Sequence, residues 1–366
     1  MENQMKIIAY YLPQFHPFKQ NDEWWGEGFT EWTNVAKAKP LFKGHYQPKI
    51  PSILGFYDLR LPETREKQVQ LAKEAGIYGF CYWHYWFNGT ELMERPFKEI
   101  LNSGKPDFPF CLGWANESWM AKLWSKNGVT GKTLIAQTYS DEDDVKHFEA
   151  YKQAFQDNRY IRIKGKPFFL IYRPLDMPDV KKFMQTWNKL ISTSRIAEGF
   201  YFVAHARNEE ECDKLRTMGF DAVNIGPTTR CRNLYKGFTI ARFVNKIRKI
   251  FTGCPNMIEY QYVNDIIWKE GYEDCDDVLP TLIPNWDHSP RGGKNSLVFN
   301  HCTPELWREQ VDKVVSLTNL KKNKVIMLKS WNEWGEGNYM EPDLKYGKEI
   351  INILADSLKN NGGTDR

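Results

Sequence analysis

The chain has 366 residues, 42% of them hydrophobic and 15% aromatic, with 14 Trp, 18 Tyr and a formal net charge of +4. That length suits one α/β barrel or two smaller domains, and the small charge without a dense basic run speaks against a nucleic-acid surface. No apolar stretch approaches the roughly 20 residues of a membrane span, and Met1–Lys6 runs directly into a strand without the basic and apolar regions of a secretory signal, so a soluble cytoplasmic protein is expected.

In chain order, Ile7–Tyr11 reads as a first strand, ending in Leu12-Pro13-Gln14-Phe15-His16-Pro17. A long loop follows, about 12–60, holding Trp24, Trp25, Glu27, Glu31, Trp32 and His45; a loop of that length usually has a function. Leu61–Ala75 has helical spacing and stops at Gly76. Further strands are expected at Gly79–Phe87, Phe110–Trp114, Pro167–Tyr172, Tyr201–Ala204, Ala222–Ile225, Leu279–Pro284 and Val325–Leu328. Helices are expected at Met93–Asn102, Asp141–Gln156, Asp179–Ile191, Glu209–Met218, Pro304–Leu317 and Leu344–Leu358, with Ser140 or Asp141 and Thr303 as caps. Residues 227–277 are less regular and partly basic, with a helix expected at Ile240–Phe251.

Eight strand-like runs alternating with helices are the pattern of a single (β/α)8 TIM barrel with long βα loops, one catalytic domain over 1–366. Polar residues collect after the strands, where such barrels keep their chemistry. They include His16, His84, Asn116, Glu117, Arg173, His205, Asn285, Asp287, Glu333 and Glu336.

The last strand is followed at once by Trp331-Asn332-Glu333-Trp334-Gly335-Glu336-Gly337. An extended chain would hold the Cα atoms of Glu333 and Glu336 about 10 Å apart, and a turn brings them closer; the flanking glycines permit one. Cleaving a glycoside needs an acid for the leaving oxygen and a second group at the sugar's other face. Glu333 and Glu336 are the expected pair, with flat tryptophan faces beside them to stack on sugar rings. Glu117, in Asn116-Glu117 at a strand end, is a possible acid or a loop carboxylate that binds a sugar hydroxyl. Expected substrate contacts are Tyr11, His16, Trp32, Trp83, His84, Trp114, Asn116, Glu117, His205, Asn285, Trp286, Asp287, Trp331, Asn332 and Trp334.

Other chemistries find less support. Seven cysteines, Cys81, Cys111, Cys212, Cys231, Cys254, Cys275 and Cys302, are scattered without C-x-x-C, which fits core thiols in a reducing compartment better than disulfides or zinc. No His spacing suggests a metal, no G-x-S-x-G elbow occurs, and no Gly-rich phosphate loop follows the first strand. Asp274-Cys275-Asp276 has the D-x-D form of metal-using glycosyltransferases, but it precedes a strand, at the wrong end for a barrel site. No cofactor, membrane insertion or obligate protein partner is expected.

Ala9-Tyr10-Tyr11-Leu12-Pro13-Gln14-Phe15-His16-Pro17, Trp24-Trp25-Gly26-Glu27-Gly28-Phe29-Thr30-Glu31-Trp32, Tyr82-Trp83-His84-Tyr85-Trp86-Phe87 and the Trp331–Gly337 stretch together resemble the WbsX-type proteins of bacterial polysaccharide loci, which are glycoside hydrolase family 99-like. The resemblance implies a (β/α)8 barrel related to retaining, endo-acting α-mannosidases. It also implies roles for Asn332, Glu333 and Glu336 in an Asn-Glu-x-x-Glu motif. Glu333 would act as base on the substrate's own 2-hydroxyl, forming a 1,2-anhydro sugar, and Glu336 would protonate the leaving oxygen and then activate water. The rival reading is a sugar-nucleotide-dependent glycosyltransferase of O-antigen or capsule synthesis; a third is an inert glycan-binding barrel. A hydrolase without a secretory signal would trim lipid-linked intermediates or imported oligosaccharides.

Overall fold

The computed structural model describes residues 4–121, 131–237 and 254–361, with side chains up to 232 in the middle segment. Eight apolar runs form the barrel: β1 (Lys6–Tyr11), β2 (Gly79–Phe87), β3 (Phe110–Trp114), β4 (Lys166–Ile171), β5 (Tyr201–Ala206), β6 (Ala222–Ile225), β7 in two pieces (Val278–Leu279 and Thr281–Leu282) and β8 (Val325–Leu328). Consecutive strands pair in parallel from β1 to β6. β1 also pairs with β8, through Lys6–Val325 to Ala9–Leu328. Burial on both faces explains why these runs are continuously apolar instead of alternating.

The seventh strand differs from the expected Leu279–Pro284. Pro280 has no N–H for a ladder, so the strand is split around it. Val278–Leu279 pairs with β6 and Thr281–Leu282 with β8, while the Pro280 carbonyl still accepts from Met327 N at 2.9 Å. The two halves thereby close the cylinder.

Outside the sheet lie helices Pro62–Glu74, Arg95–Ser103, Asp141–Gln156, Val180–Thr193, Glu209–Arg216, Pro304–Asn319 and Glu349–Asn361. Ser140, Asp179, Asn208 and Thr303 each cap a helix, accepting from the backbone N–H three residues on. The closing helix starts at Glu349, not at Leu344, because Asp343 Oδ1 holds Lys345 N (3.0 Å) and Tyr346 N (2.7 Å) in a turn first. Between helices and sheet, Trp187 is fully buried among Phe155, Phe169, Phe183 and Phe200. Truncating it to Ala would cost roughly 3–5 kcal/mol.

The long first loop contains short helices Lys19–Trp25 and Glu31–Lys37. Within 227–277, helix Pro227–Gly237, strand Asn256–Glu259 and helix Tyr260–Ile266 are present, and that strand pairs in parallel with Leu297–Asn300. The helix expected at 240–251 lies outside the described residues. Asp276 of the D-x-D segment accepts from Lys322 N at 2.9 Å, and the next residue, Asp277, is bound by Arg216 at 2.7 Å. Both contacts sit before β7 and β8, at the opposite rim from the strand ends. Among the described residues, no helix is long and apolar enough to cross a membrane.

Candidate active site

A strand's side chains alternate between its two faces, and that rule sorts the residues at the C-terminal rim. Tyr10, Trp83, His205 and Asn224 point into the barrel and line a cavity of about 400 Å³, a size that suits a small ligand. Tyr10 and Trp83 stack in parallel at 4.8 Å. Their sequence neighbours point outward. Tyr11 donates to Gln68 at 2.7 Å, and His84 meets His147 at 2.8 Å in the helical layer. Trp114 packs on His147 and Phe183. Tyr11, His84 and Trp114, expected to touch substrate, belong instead to the outer core, one residue out of phase with the cavity.

Two loops bring the carboxylates in. Asn332–Glu333 and Asn338–Tyr339 form a two-stranded hairpin, whose tip, Trp334–Glu336, is a 3-10 turn closed by Gly337 at φ +55°. The turn presents Glu333 and Glu336 to the cavity. From the loop after β7, the short helix Ser289–Gly292 carries Arg291, and the loop after β1 contributes Glu31, first residue of its helix. Arg291 joins all three acids. Nε donates to Glu31 Oε2 (2.9 Å), Nη2 donates to Glu333 Oε1 (2.6 Å), and Nη1 lies 3.0 Å from Glu336 Oε1. His288 Nε2 is 3.9 Å from the same Glu336 oxygen. The two glutamates thus converge on the terminal nitrogens of one guanidinium.

Gly335 is required by this packing. A Cβ there would overlap the Glu31 carboxylate and come within 2.8 Å of Arg291 Nε. Backbone contacts lock the loops together, with Asp287 N donating to the Glu336 carbonyl at 2.7 Å.

Glu31 and Glu333 are 3% and 7% exposed, so their charges interact in a poor dielectric. Burial pushes the Glu333 carboxyl up to about 8 against the pull of Arg291, with Glu336 and Glu31 adding to the rise. Three acids facing one guanidinium favour keeping a proton on the cluster. Lys329, one residue past β8, also lines the cavity, with its Nζ 4.9 Å over the Trp286 ring. Its ammonium is pushed down by burial; Glu336 and Glu333 oppose that shift, and Arg173 and Arg232 add to it. Burial, then Lys329 and Arg173, hold the His205 imidazole well below its usual range. It is neutral at pH 7.

Of the expected residues, the structure brings Trp83, Glu117, His205, Glu333 and Glu336 around one cavity. Glu117 is exposed on the rim, 3.2 Å from Arg173 Nε. The others brace the rim from behind. His16 is buried beside Phe18, and Trp32 donates to the Tyr57 carbonyl at 2.7 Å. Asn116 holds the Arg173 backbone at 2.7 and 3.0 Å. Asn285 Oδ1 accepts from Tyr339 N at 3.3 Å, Trp286 lies under Lys329, and Asp287 is bound by His45 (2.8 Å) and Gln47 (2.6 Å). Trp331 is fully buried. Asn332 spans Leu12, accepting from its N–H at 2.8 Å and donating to its carbonyl at 3.0 Å, and Trp334 stacks on Tyr339 at 3.7 Å. The tryptophan faces in the cavity belong to Trp25, Trp83 and Trp119.

Sequence reasoning missed Glu31, Arg291, Lys329, Tyr10, Tyr85, Tyr172, Asn224 and Thr281, all of which line the cavity. Strict alternation along β1 and β6 would have found Tyr10 and Asn224. A lysine directly after an all-apolar strand was the available signal for Lys329.

The family described as Glycosyltransferase WbsX matches residues 7–354. A protein named WxcX, from two strains of Xanthomonas campestris pv. campestris, is 33% identical over 363 residues, which is 96% of this chain and 49% of WxcX; the chain therefore spans about half the length of these relatives. Among solved structures, a GH99 endo-α-mannosidase from Bacteroides thetaiotaomicron superposes with a TM-score of 0.57 at 14% identity, covering 99% of this chain and 98% of the enzyme. A glycoside hydrolase-like protein gives 0.58 at 14% identity, over 97% and 94% of the two chains. With the match running from β1 through the Glu333–Glu336 hairpin to the closing helix, the chain belongs to the WbsX family and has the (β/α)8 fold of the family 99 glycoside hydrolases.

Proposed function

We propose that the protein is a retaining glycosidase that cleaves an α-linked, manno-configured bacterial poly- or oligosaccharide within the chain, using Glu333 and Glu336. The observation that carries this reading is the convergence of both carboxylates on Arg291 at the mouth of the barrel. Both face a cavity walled by aromatic rings and by polar and charged side chains, among them Asn224, Thr281 and Lys329.

In the proposed cycle Glu333 removes the proton of the sugar's 2-hydroxyl, and that oxygen attacks C1 of its own ring. The bond from C1 to the leaving oxygen breaks as Glu336 protonates that oxygen. Glu336 then takes a proton from water, whose oxygen opens the 1,2-anhydro ring at C1, while O2 recovers a proton from Glu333. Two inversions give retention, and no oxidant or metal enters the balance. A Glu333 carboxyl of raised proton affinity is a stronger base once ionised, and general bases work best with a pKa near the operating pH. Arg291 holds both side chains in place before substrate arrives, which is the kind of preorganisation that lowers barriers.

The test is sugar release from α-mannan and bacterial glycans without added nucleotide. Glu333→Gln and Glu336→Gln should each lower turnover by about 10²–10⁴-fold while the protein stays folded by circular dichroism. Tight binding of a UDP- or GDP-sugar with transfer and no hydrolysis would overturn the reading in favour of the transferase that the family's description names. Glycan binding that both variants retain, without turnover in any form, would leave a binding barrel.

A further inference from the structure

Most charges at the rim are paired, but the Lys329 ammonium is not: among the described residues no hydrogen bond or ion pair reaches its Nζ. Its backbone is fixed, the Lys329 N–H donating to the Leu282 carbonyl at 2.9 Å, and its side chain rests on Trp286. The neighbours that could have satisfied it are already engaged. Asn224 accepts from Tyr10 and donates to the Leu279 carbonyl and Thr281 Oγ1, at 2.8 to 2.9 Å. Thr281 in turn donates to the Ile225 carbonyl at 3.2 Å. The side chain is half-buried, and its ammonium donors stand open to a cavity large enough for a ligand.

Position adds to this. Tyr10, Asn224 and Thr281 belong to strands β1, β6 and β7, so they form the floor of the cavity. Lys329 is one residue beyond β8, whereas Glu333 and Glu336 come four and seven residues later, on the hairpin above. A sugar held against the two glutamates would therefore turn one ring substituent down toward Lys329. On the same side Arg173 lies 4.0 Å over the Tyr172 ring, and Tyr172 and His205 also line the wall. Lys329 is thus a cation on the floor side, Arg173 being paired with Glu117, while the hairpin above carries Glu333 and Glu336.

We propose that Lys329 is a specificity residue for an anionic group, a uronic-acid carboxylate or a phosphate ester, carried by the sugar whose glycosidic bond is cleaved. The inference rests on the glycosidase reading for which sugar lies there, but the binding it predicts does not depend on turnover. A neutral hexose would offer the ammonium only neutral acceptors, whereas an acidic sugar would form a charge-assisted hydrogen bond with it in a half-buried site. The substrate would then be an acidic polysaccharide or oligosaccharide, not a neutral mannan.

The test uses methyl α-D-mannuronoside, methyl α-D-mannoside 6-phosphate and methyl α-D-mannoside as titrants of the wild-type protein, followed by calorimetry. At least one anionic glycoside should bind tenfold or more tightly than the neutral one, and which of the two does so separates carboxylate from phosphate. Lys329→Met and Lys329→Gln should abolish the preference by weakening the anionic glycoside at least tenfold, with melting curves checking that both variants fold. In parallel, an α-linked mannuronate oligosaccharide and its carboxyl-reduced form are offered as substrates, and wild type should cleave the acidic form faster. Equal affinity for the three glycosides, or a preference that survives both substitutions, overturns the proposal. Selective binding without any cleavage would support the Lys329 assignment and count against the glycosidase reading alone.

Discussion

Two buried carboxyls stand eight residues apart in the chain, and their surroundings differ completely. Glu341 is sealed, accepting from Trp334 Nε1 (2.6 Å), Gln68 Nε2 (2.6 Å) and the Tyr57 hydroxyl (2.8 Å). Every one of those donors is neutral; Trp334 comes from the hairpin tip, and Gln68 and Tyr57 from the scaffold behind it. Glu333 instead shares a single charged donor with two other acids and faces an open cavity. Burial raises both carboxyls, Glu341 to about 7 and Glu333 to about 8. The raised proton affinity therefore does not distinguish them. What does is whether the donors are already saturated and whether a ligand can reach the oxygens.

Among changes around the two glutamates, the largest effect should come from taking away the shared cation. Arg291→Met leaves Glu31, Glu333 and Glu336 without their guanidinium, and breaking a buried ion pair costs roughly 3–5 kcal/mol. Turnover should fall by about 10²–10³-fold, the scale for losing one preorganised charge-stabilising donor. Thermal melts and glycan release on the same samples check both numbers. Melting unchanged from wild type would show that the three acids do not depend on Arg291.

Next comes Gly335→Ala, where the new methyl group meets the Glu31 carboxylate. Overpacking of this kind costs roughly 1–3 kcal/mol, and displacing Arg291 by even an ångström should slow turnover by about 100-fold. A crystal structure of the variant should show the Glu31–Arg291 pair broken.

Glu341→Gln should do the opposite, harming stability with turnover nearly intact. An amide cannot accept at both positions, and one buried donor left facing an NH2 costs roughly 1–3 kcal/mol. The sign of the pH dependence follows from the raised carboxyl. Wild-type stability from this group is complete below the ordinary glutamate range and is lost as pH rises toward about 7, by up to about 3 kcal/mol. Denaturant melts at pH 5 and pH 8 should therefore show the variant's deficit shrinking at the higher pH. Glu333 titrates with the same sign in both proteins and cancels from the difference.

The smallest effect is expected at Glu117, exposed and, among the described residues, paired with Arg173 alone. Glu117→Gln should change stability by less than about 1 kcal/mol and turnover by only severalfold. A loss matching that of Glu336→Gln would move the acid role to Glu117.

The barrel was legible in the sequence because its strands are bare apolar runs and its helices carry cap residues such as Ser140 and Thr303. The split of β7 was legible too, in Pro280, but weighing one missing N–H against a continuous apolar run needs the neighbouring strands. The hairpin bearing Glu333 and Glu336 could be anticipated from its glycines. Arg291 and Glu31 could not, since they lie 260 residues apart and meet only once β1 and β7 are in one cylinder. The tryptophans misled for a physical reason: large flat rings serve a core as well as a sugar, and Trp331 and Trp334 fill the space behind the turn that Trp25 and Trp119 face across the cavity.

Asn332 fastens to both backbone groups of Leu12, at the exit of the first strand. During synthesis the Leu12 end of that clasp emerges first and must wait for another 320 residues before its counterpart exists. Until the ribosome has released the hairpin, the nascent barrel has neither its eighth stave nor either proposed proton carrier, so a chain cut short before it lacks the proposed chemistry.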